Sequence, residues 1–129
     1  MKRILAWVLA ALLGANALAQ LFAGPWWYET VPGVTSTGPY NAHFVKDIGA
    51  AYGVVALALA WRAWRPTAAA FGALMAGAAF LVLHAAVHVA DALMDGHAVH
   101  DFGRDFLAIY VFAGLAAWLA IPDPQPRKA

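Results

Sequence analysis

Cysteine is absent from this 129-residue chain, and charge is scarce, with Asp, Glu, Lys and Arg together making up 12% of residues. Without thiols there is no disulfide, thiol-redox or zinc–thiolate chemistry. His, Asp and Glu are left as the strong metal ligands. An average soluble domain is about 25% charged, so this chain carries roughly half of what covers a small globule in water. A disordered chain, a nucleic-acid binder and a disulfide scaffold are excluded as readings. The formal net charge of +1 points to no partner. No Walker loop, G-x-G-x-x-G, G-x-S-x-G or H-E-x-x-H is present, which argues against soluble nucleotide and hydrolase chemistry.

Apolar residues, by contrast, make up 64% of the chain, and the mean hydropathy is +0.66. That combination describes an integral membrane protein. A bilayer core of about 30 Å needs about 20 mostly apolar helical residues. Four stretches qualify, at about 4–22, 44–61, 67–92 and 106–121. They are Ala- and Leu-rich, without the alternation of a β-barrel strand. The expected fold is therefore all-α, a single domain built as an antiparallel four-helix transmembrane bundle. Short connections such as the WRAWRP turn make neighbouring spans antiparallel. The first span also resembles a signal peptide, with a basic start and an Ala-Leu-Ala ending. Its apolar run continues through Leu21 and Phe22, which favours an uncleaved helix.

Basic residues orient the bundle. Lys2, Arg3, Arg62, Arg65, Arg127 and Lys128 fall on one side of a four-span topology, and Lys46 and Arg104 on the other. The positive-inside rule then places both termini in the cytoplasm. The expected location is a bacterial inner membrane, multi-pass. Trp26, Trp27 and Tyr28 would mark the outer interface, and Trp61 and Trp64 the inner one. The G-x-x-x-G of Gly49 and Gly53, and the Gly72/Ala76 pair, suit close helix packing inside the bundle or, less readily, a homo-oligomer. The segment between the first two spans has three Pro and three Gly. It should be rich in turns and packed on the bundle mouth, with Asn41 capping the second span.

The same topology collects all five His and six of the seven acids toward the outer face. His84, His88 and Asp91 stand at i, i+4 and i+7 on the third span, sharing one helix face. His43 and Asp47 are i, i+4 on the second span, as are Asn16 and Gln20 on the first. An ionisable group inside the membrane is costly, roughly 2.5–3.5 kcal/mol on insertion scales, so it should face the interior and be paired. Asp47 with His84 or His88 is the expected pairing. His43, Asp47, His84, His88 and Asp91 are thus the candidate metal ligands, expected to converge in one pocket. Asp105, Asp101, His97 and His100 are possible additions: Asp101 and Asp105 stand at i, i+4 entering the fourth span, with Asp105 its likeliest contribution, whereas His97, His100 and Asp95 sit in the turn MDGHAVHDFGRD, which also suits a solvated loop.

Three chemistries remain open for this cluster. Imidazole and carboxylate at helical spacing suit a divalent transition metal, Zn or Fe. Haem held by His from neighbouring spans is a second possibility. A hydrogen-bond network that glues the helices, or relays protons, is the third. Lys46 or Arg104 would neutralise the carboxylates by ion pairing and argue against a metal. The protein is accordingly either a metal-dependent enzyme or metal-handling protein, or a non-catalytic accessory subunit of a larger membrane complex. Its one certain environment is the lipid bilayer.

The segment GPYNAHFVKDIGAAYG, the preceding hydrophobic helix and outer Pro/Gly loop, and the later LHAAVHVAD helix resemble small uncharacterised bacterial four-helix membrane proteins, and loosely the DoxX-like group. The likeness covers about residues 4–121, but the Gly-rich first-helix pattern of DoxX is missing. The resemblance implies an inner-membrane bundle tied to redox or respiratory functions. It supplies no catalytic residues.

Overall fold

The structure is a computed structural model that describes residues 1–94 and 98–122. The described residues form helices and no strands. Helix α1 spans Lys2–Phe22, α2 Gly24–Thr30, α3 Ala42–Trp64 and α4 Ala68–Met94. Then α5 (Ala98–Asp105), a π-helical segment (Phe106–Val111) and α6 (Phe112–Leu119) follow end to end. Four helices are long and apolar enough to cross a membrane: α1, α3, α4 and the composite Val99–Leu119. The protein is a multi-pass membrane protein by this measure. Large apolar side chains such as Ile4, Val8, Leu12, Val54, Leu57, Leu83, Val87 and Leu107 face outward, as a lipid-facing surface requires.

Each long helix touches two neighbours. Helix α1 packs along α3, α3 on α4, α4 on α6, and α6 on α1. The ring closes over a core of small and branched residues, among them Leu9, Leu13, Val55, Leu59, Leu74, Leu81 and Ala116. Gly49 lets α1 and α3 approach closely. A Cβ added there would stand 2.8 Å from the Cβ of Gln20, whereas at Gly53 the nearest atom would be the Ala17 Cβ at 3.8 Å. The G-x-x-x-G therefore works inside the chain. Gly72 has nothing within 4 Å of such a Cβ, so its pairing with Ala76 makes no close contact here. Gly77, one turn on, takes that role against Val55.

Helix ends follow local chemistry. Asn41 Oδ1 accepts from the amides of His43 and Phe44, each at 3.1 Å, and starts α3 as expected. The start of α4 is set by Thr67 rather than Pro66: its hydroxyl accepts from Ala70 N at 3.2 Å. The main boundary correction concerns the fourth span. It was expected at 106–121, but helix begins at Ala98. Asp101 near the helix start and the Asp101–Arg104 pair at i, i+3 stabilise those extra turns, about two in number. His100 therefore lies on a helix and not in a solvated loop. Asp95, Gly96 and His97, together with residues 123–129 and their Arg127 and Lys128, lie outside the described residues.

The segment between the first two long helices is more structured than its Pro and Gly suggest. Pro25 sits in the first turn of α2, where its missing amide proton costs nothing. Trp27 Nε1 donates to Asn16 Oδ1 at 2.8 Å, folding α2 back on α1. Trp27 is therefore partly buried instead of being a free interfacial anchor. Tyr28 donates to Gly38 O at 2.6 Å and lies edge-on to Tyr40.

Candidate functional site

Polar chemistry concentrates where α4 meets the beginning of the last span. Asp105 is buried, its side chain 7% exposed. One of its oxygens lies 2.7 Å from His88 Nδ1. Arg104 grips the same carboxylate with two donors, Nε to Oδ1 at 2.7 Å and Nη2 to Oδ2 at 2.9 Å. The third guanidinium nitrogen, Nη1, donates to Asp101 Oδ1 at 2.8 Å. His100 Nδ1 reaches the same Asp101 oxygen at 3.2 Å from the exposed rim. Bidentate guanidinium–carboxylate bonding is the strongest form of this interaction.

The π-helical segment of residues 106–111 follows Asp105 directly. Asp105, Ala113 and Ala116 are all buried, so polar and apolar contacts come from one side of the span.

Below the ion pair, α4 and α3 build an aromatic column. His84 and His88 rings meet edge-on with centroids 4.8 Å apart. Phe80 stacks on His84 at 5.9 Å, and Tyr52 of α3 lies edge-on to both Phe80 and His84 at 5.7 Å. His84 is thus bounded mainly by rings.

The expected single pocket of five ligands is not what the fold assembles. His84 and His88 are adjacent, and Asp105 joins them, with Asp101 and His100 extending the set. His43 and Asp47 pair with each other at 3.3 Å on the outside, 89% and 63% exposed. Their i, i+4 spacing was legible, but their face was not. Gly49 must meet α1, and Val45, Gly49, Tyr52 and Val55 fill the inner face of α3. That register turns residues 43 and 47 outward. Asp91 shares a face with His84 but is exposed near the end of α4. His97 lies outside the described residues. Among the described residues, no group of three or more His, Asp or Glu side chains is arranged to hold a metal ion.

Two contributors escaped the sequence. Arg104 was considered only as a counter-charge, yet it is the hub of the network; the D-x-x-R-D run of residues 101–105 was the available signal. Gly33 is the other. It has φ +84°, and a Cβ there would fall 2.6 Å from Arg104 Nε and 2.7 Å from its Cζ. The segment between α2 and α3 thus closes directly over the guanidinium. The Pro32-Gly33 turn signal marked the bend but not its target. Gln20, on the stripe with Asn16, is fully buried, and neither side-chain polar atom has a hydrogen-bond partner among the described residues. No protein-family model, curated protein or solved structure matches this chain.

Proposed function

We propose that this chain is a small multi-pass protein of the bacterial inner membrane that serves as a non-catalytic accessory subunit. Its His/Asp/Arg network acts as a structural clamp at the outer end of an antiparallel bundle. The observation that carries this reading is the placement of Arg104. All three of its guanidinium nitrogens are taken up by Asp105 and Asp101, so both carboxylates already hold a cation, and both oxygens of Asp105 are engaged by Arg104. The loop at Gly33 then covers the pair. Charges paired in this way organise helices.

The proposed topology has both termini in the cytoplasm. It is supported by the basic residues Lys2, Arg3, Arg62 and Arg65. Lys2 Nζ also donates to Ile121 O at 2.8 Å, which brings the first and last turns of the described chain to one end. Reporter fusions at residue 129 and within residues 24–42 test it. A C-terminus found outside overturns the orientation.

A metal-dependent role is the second reading, and the adjacency of His84 and His88 is its support. It would place Zn or Fe on these two imidazoles and recruit Asp105 away from Arg104. Metal analysis of the purified protein separates the two. A structural clamp predicts no stoichiometric metal, with His84→Ala and His88→Ala only less stable. A stoichiometric metal lost in both variants overturns the clamp, and a Soret band moves the assignment to haem. The resemblance to DoxX-like proteins would set the larger complex in a redox or respiratory context.

A further inference from the structure

At the opposite end of the bundle from the clamp, a cavity of about 290 Å³ opens among α1, α3, α4 and α6. Lys2, Arg3 and Arg62 line it, and the described residues around it include no carboxylate. Arg62 reaches it from the last turn of α3, and its Nε is buried without a hydrogen-bond partner among the described residues. A buried donor left in that state is unfavourable until an acceptor arrives. Lys2 is held at the same place by Ile121 O and by the Trp118 ring, 5.1 Å from its centroid. The contrast with Arg104 is direct: one guanidinium is saturated by carboxylates, and the other has an unanswered donor beside two further cations.

A second feature begins where the first ends. An apolar groove of about 460 Å³ runs between α1 and α3, lined by Trp7, Ala11, Gly14, Leu18, Gly53 and Leu57. Arg3, Trp7, Ala11, Gly14 and Leu18 succeed one another at helical spacing along one face of α1. The basic cavity and the apolar groove are thus joined by a single helix face.

We propose that the cavity of Lys2, Arg3 and Arg62 binds the phosphate of an anionic phospholipid, whose acyl chain lies in the α1–α3 groove. Guanidinium geometry matches phosphate oxygens. Basic pockets between membrane helices are where acidic headgroups are recognised. The groove selects a lipid over a free phosphate ion, because an inorganic ion would use the cavity alone. Nothing in this inference depends on the role of the Arg104 network.

The test uses the full chain, purified in detergent, and native mass spectrometry with phosphatidylglycerol, phosphatidylcholine or inorganic phosphate. Phosphatidylglycerol should bind in preference to phosphatidylcholine, and inorganic phosphate should compete only poorly. Arg62→Gln and Arg3→Gln should each weaken phosphatidylglycerol binding about fivefold, matching roughly 1 kcal/mol per basic residue near a charged headgroup. Arg62→Lys should retain much of it. Gly14→Leu should weaken lipid binding without changing phosphate binding. Circular dichroism confirms that each variant is folded. Equal binding of the two lipids, or phosphatidylglycerol binding unchanged in folded Arg62→Gln and Arg3→Gln, overturns the proposal. Phosphate binding that is unaffected by Gly14→Leu but accompanied by no lipid preference overturns it in favour of a free-ion site.

Discussion

Gly33 lies directly over Arg104, so close that a Cβ on the glycine would fall 2.6 Å from the arginine Nε. The contact ties the segment between α2 and α3 to the charged network across more than seventy residues of chain. The backbone at Gly33 is left-handed, with φ +84°, a region that L-residues occupy only with strain. Arg104 cannot simply swing aside, since three of its donors are committed.

Gly33→Ala therefore combines backbone strain with a clash. The expected cost is about 1–3 kcal/mol, read as a lower unfolding midpoint in mixed micelles. The loop at residues 31–38 should also become more sensitive to protease. An unchanged midpoint and unchanged cleavage would show that the loop does not rest on Arg104.

Asp105→Ala removes the acceptor shared by His88 and Arg104 and leaves two nitrogens of a largely buried guanidinium without their partner. The loss should approach about 3 kcal/mol. His88→Ala gives up one charge-assisted bond and should cost about 1.5 kcal/mol. The Asp105→Ala/Arg104→Ala double variant should lose less stability than the sum of its single variants, because neither member of the Arg104–Asp105 pair is then left without the other. Additive losses would mean that the two side chains are not coupled.

His43→Ala and Asp47→Ala provide the contrast. Both side chains are exposed and meet only each other at the helix surface. Each change should leave stability within about 0.5 kcal/mol of the parent. A large loss from Asp47→Ala would bring back the pairing with His84 or His88.

Two glycines should behave oppositely. At Gly49 a methyl group meets Gln20 Cβ at 2.8 Å and the carbonyl of Ala17 at 3.3 Å, so Gly49→Ala should force α1 and α3 apart. The expected cost is about 1–3 kcal/mol. Gly72 has open space around it, and Gly72→Ala should be neutral or stabilising by up to about 1 kcal/mol through helix propensity. Thermal unfolding followed by circular dichroism measures both. Equal effects would remove the distinction between the two positions.

Gln20→Met keeps the shape of a side chain whose two polar atoms are buried without partners among the described residues. The variant should be at least as stable as the parent. A loss above about 1 kcal/mol would show that Gln20 does form a polar contact in the membrane.

Class and element count were legible in the chain because they depend on bulk quantities. Scarce charge and four runs of about 20 apolar residues lead to four long helices whatever the details of their packing. The Asn41 cap was equally readable, since capping involves only residues a few positions apart. The first three helices fell within a few residues of their expected limits. The fourth did not, because hydropathy ends at Phe106 while the helix continues through Asp101 and Arg104, which neutralise each other. Periodicity correctly put His84 beside His88 and Asp47 beside His43. It could not say which way each pair would point. That direction is set by rotation about the helix axis, and the rotation is decided by where the backbones must touch. Gly49 against Gln20 turned His43 and Asp47 outward, and the packing of the last span on α4 brought the Asp105 carboxylate inward to meet His88. The chain by itself determined which segments form helices long and apolar enough to span a membrane. Only the packed bundle decided which polar groups meet, since contacts between helices depend on an angle that no single helix specifies.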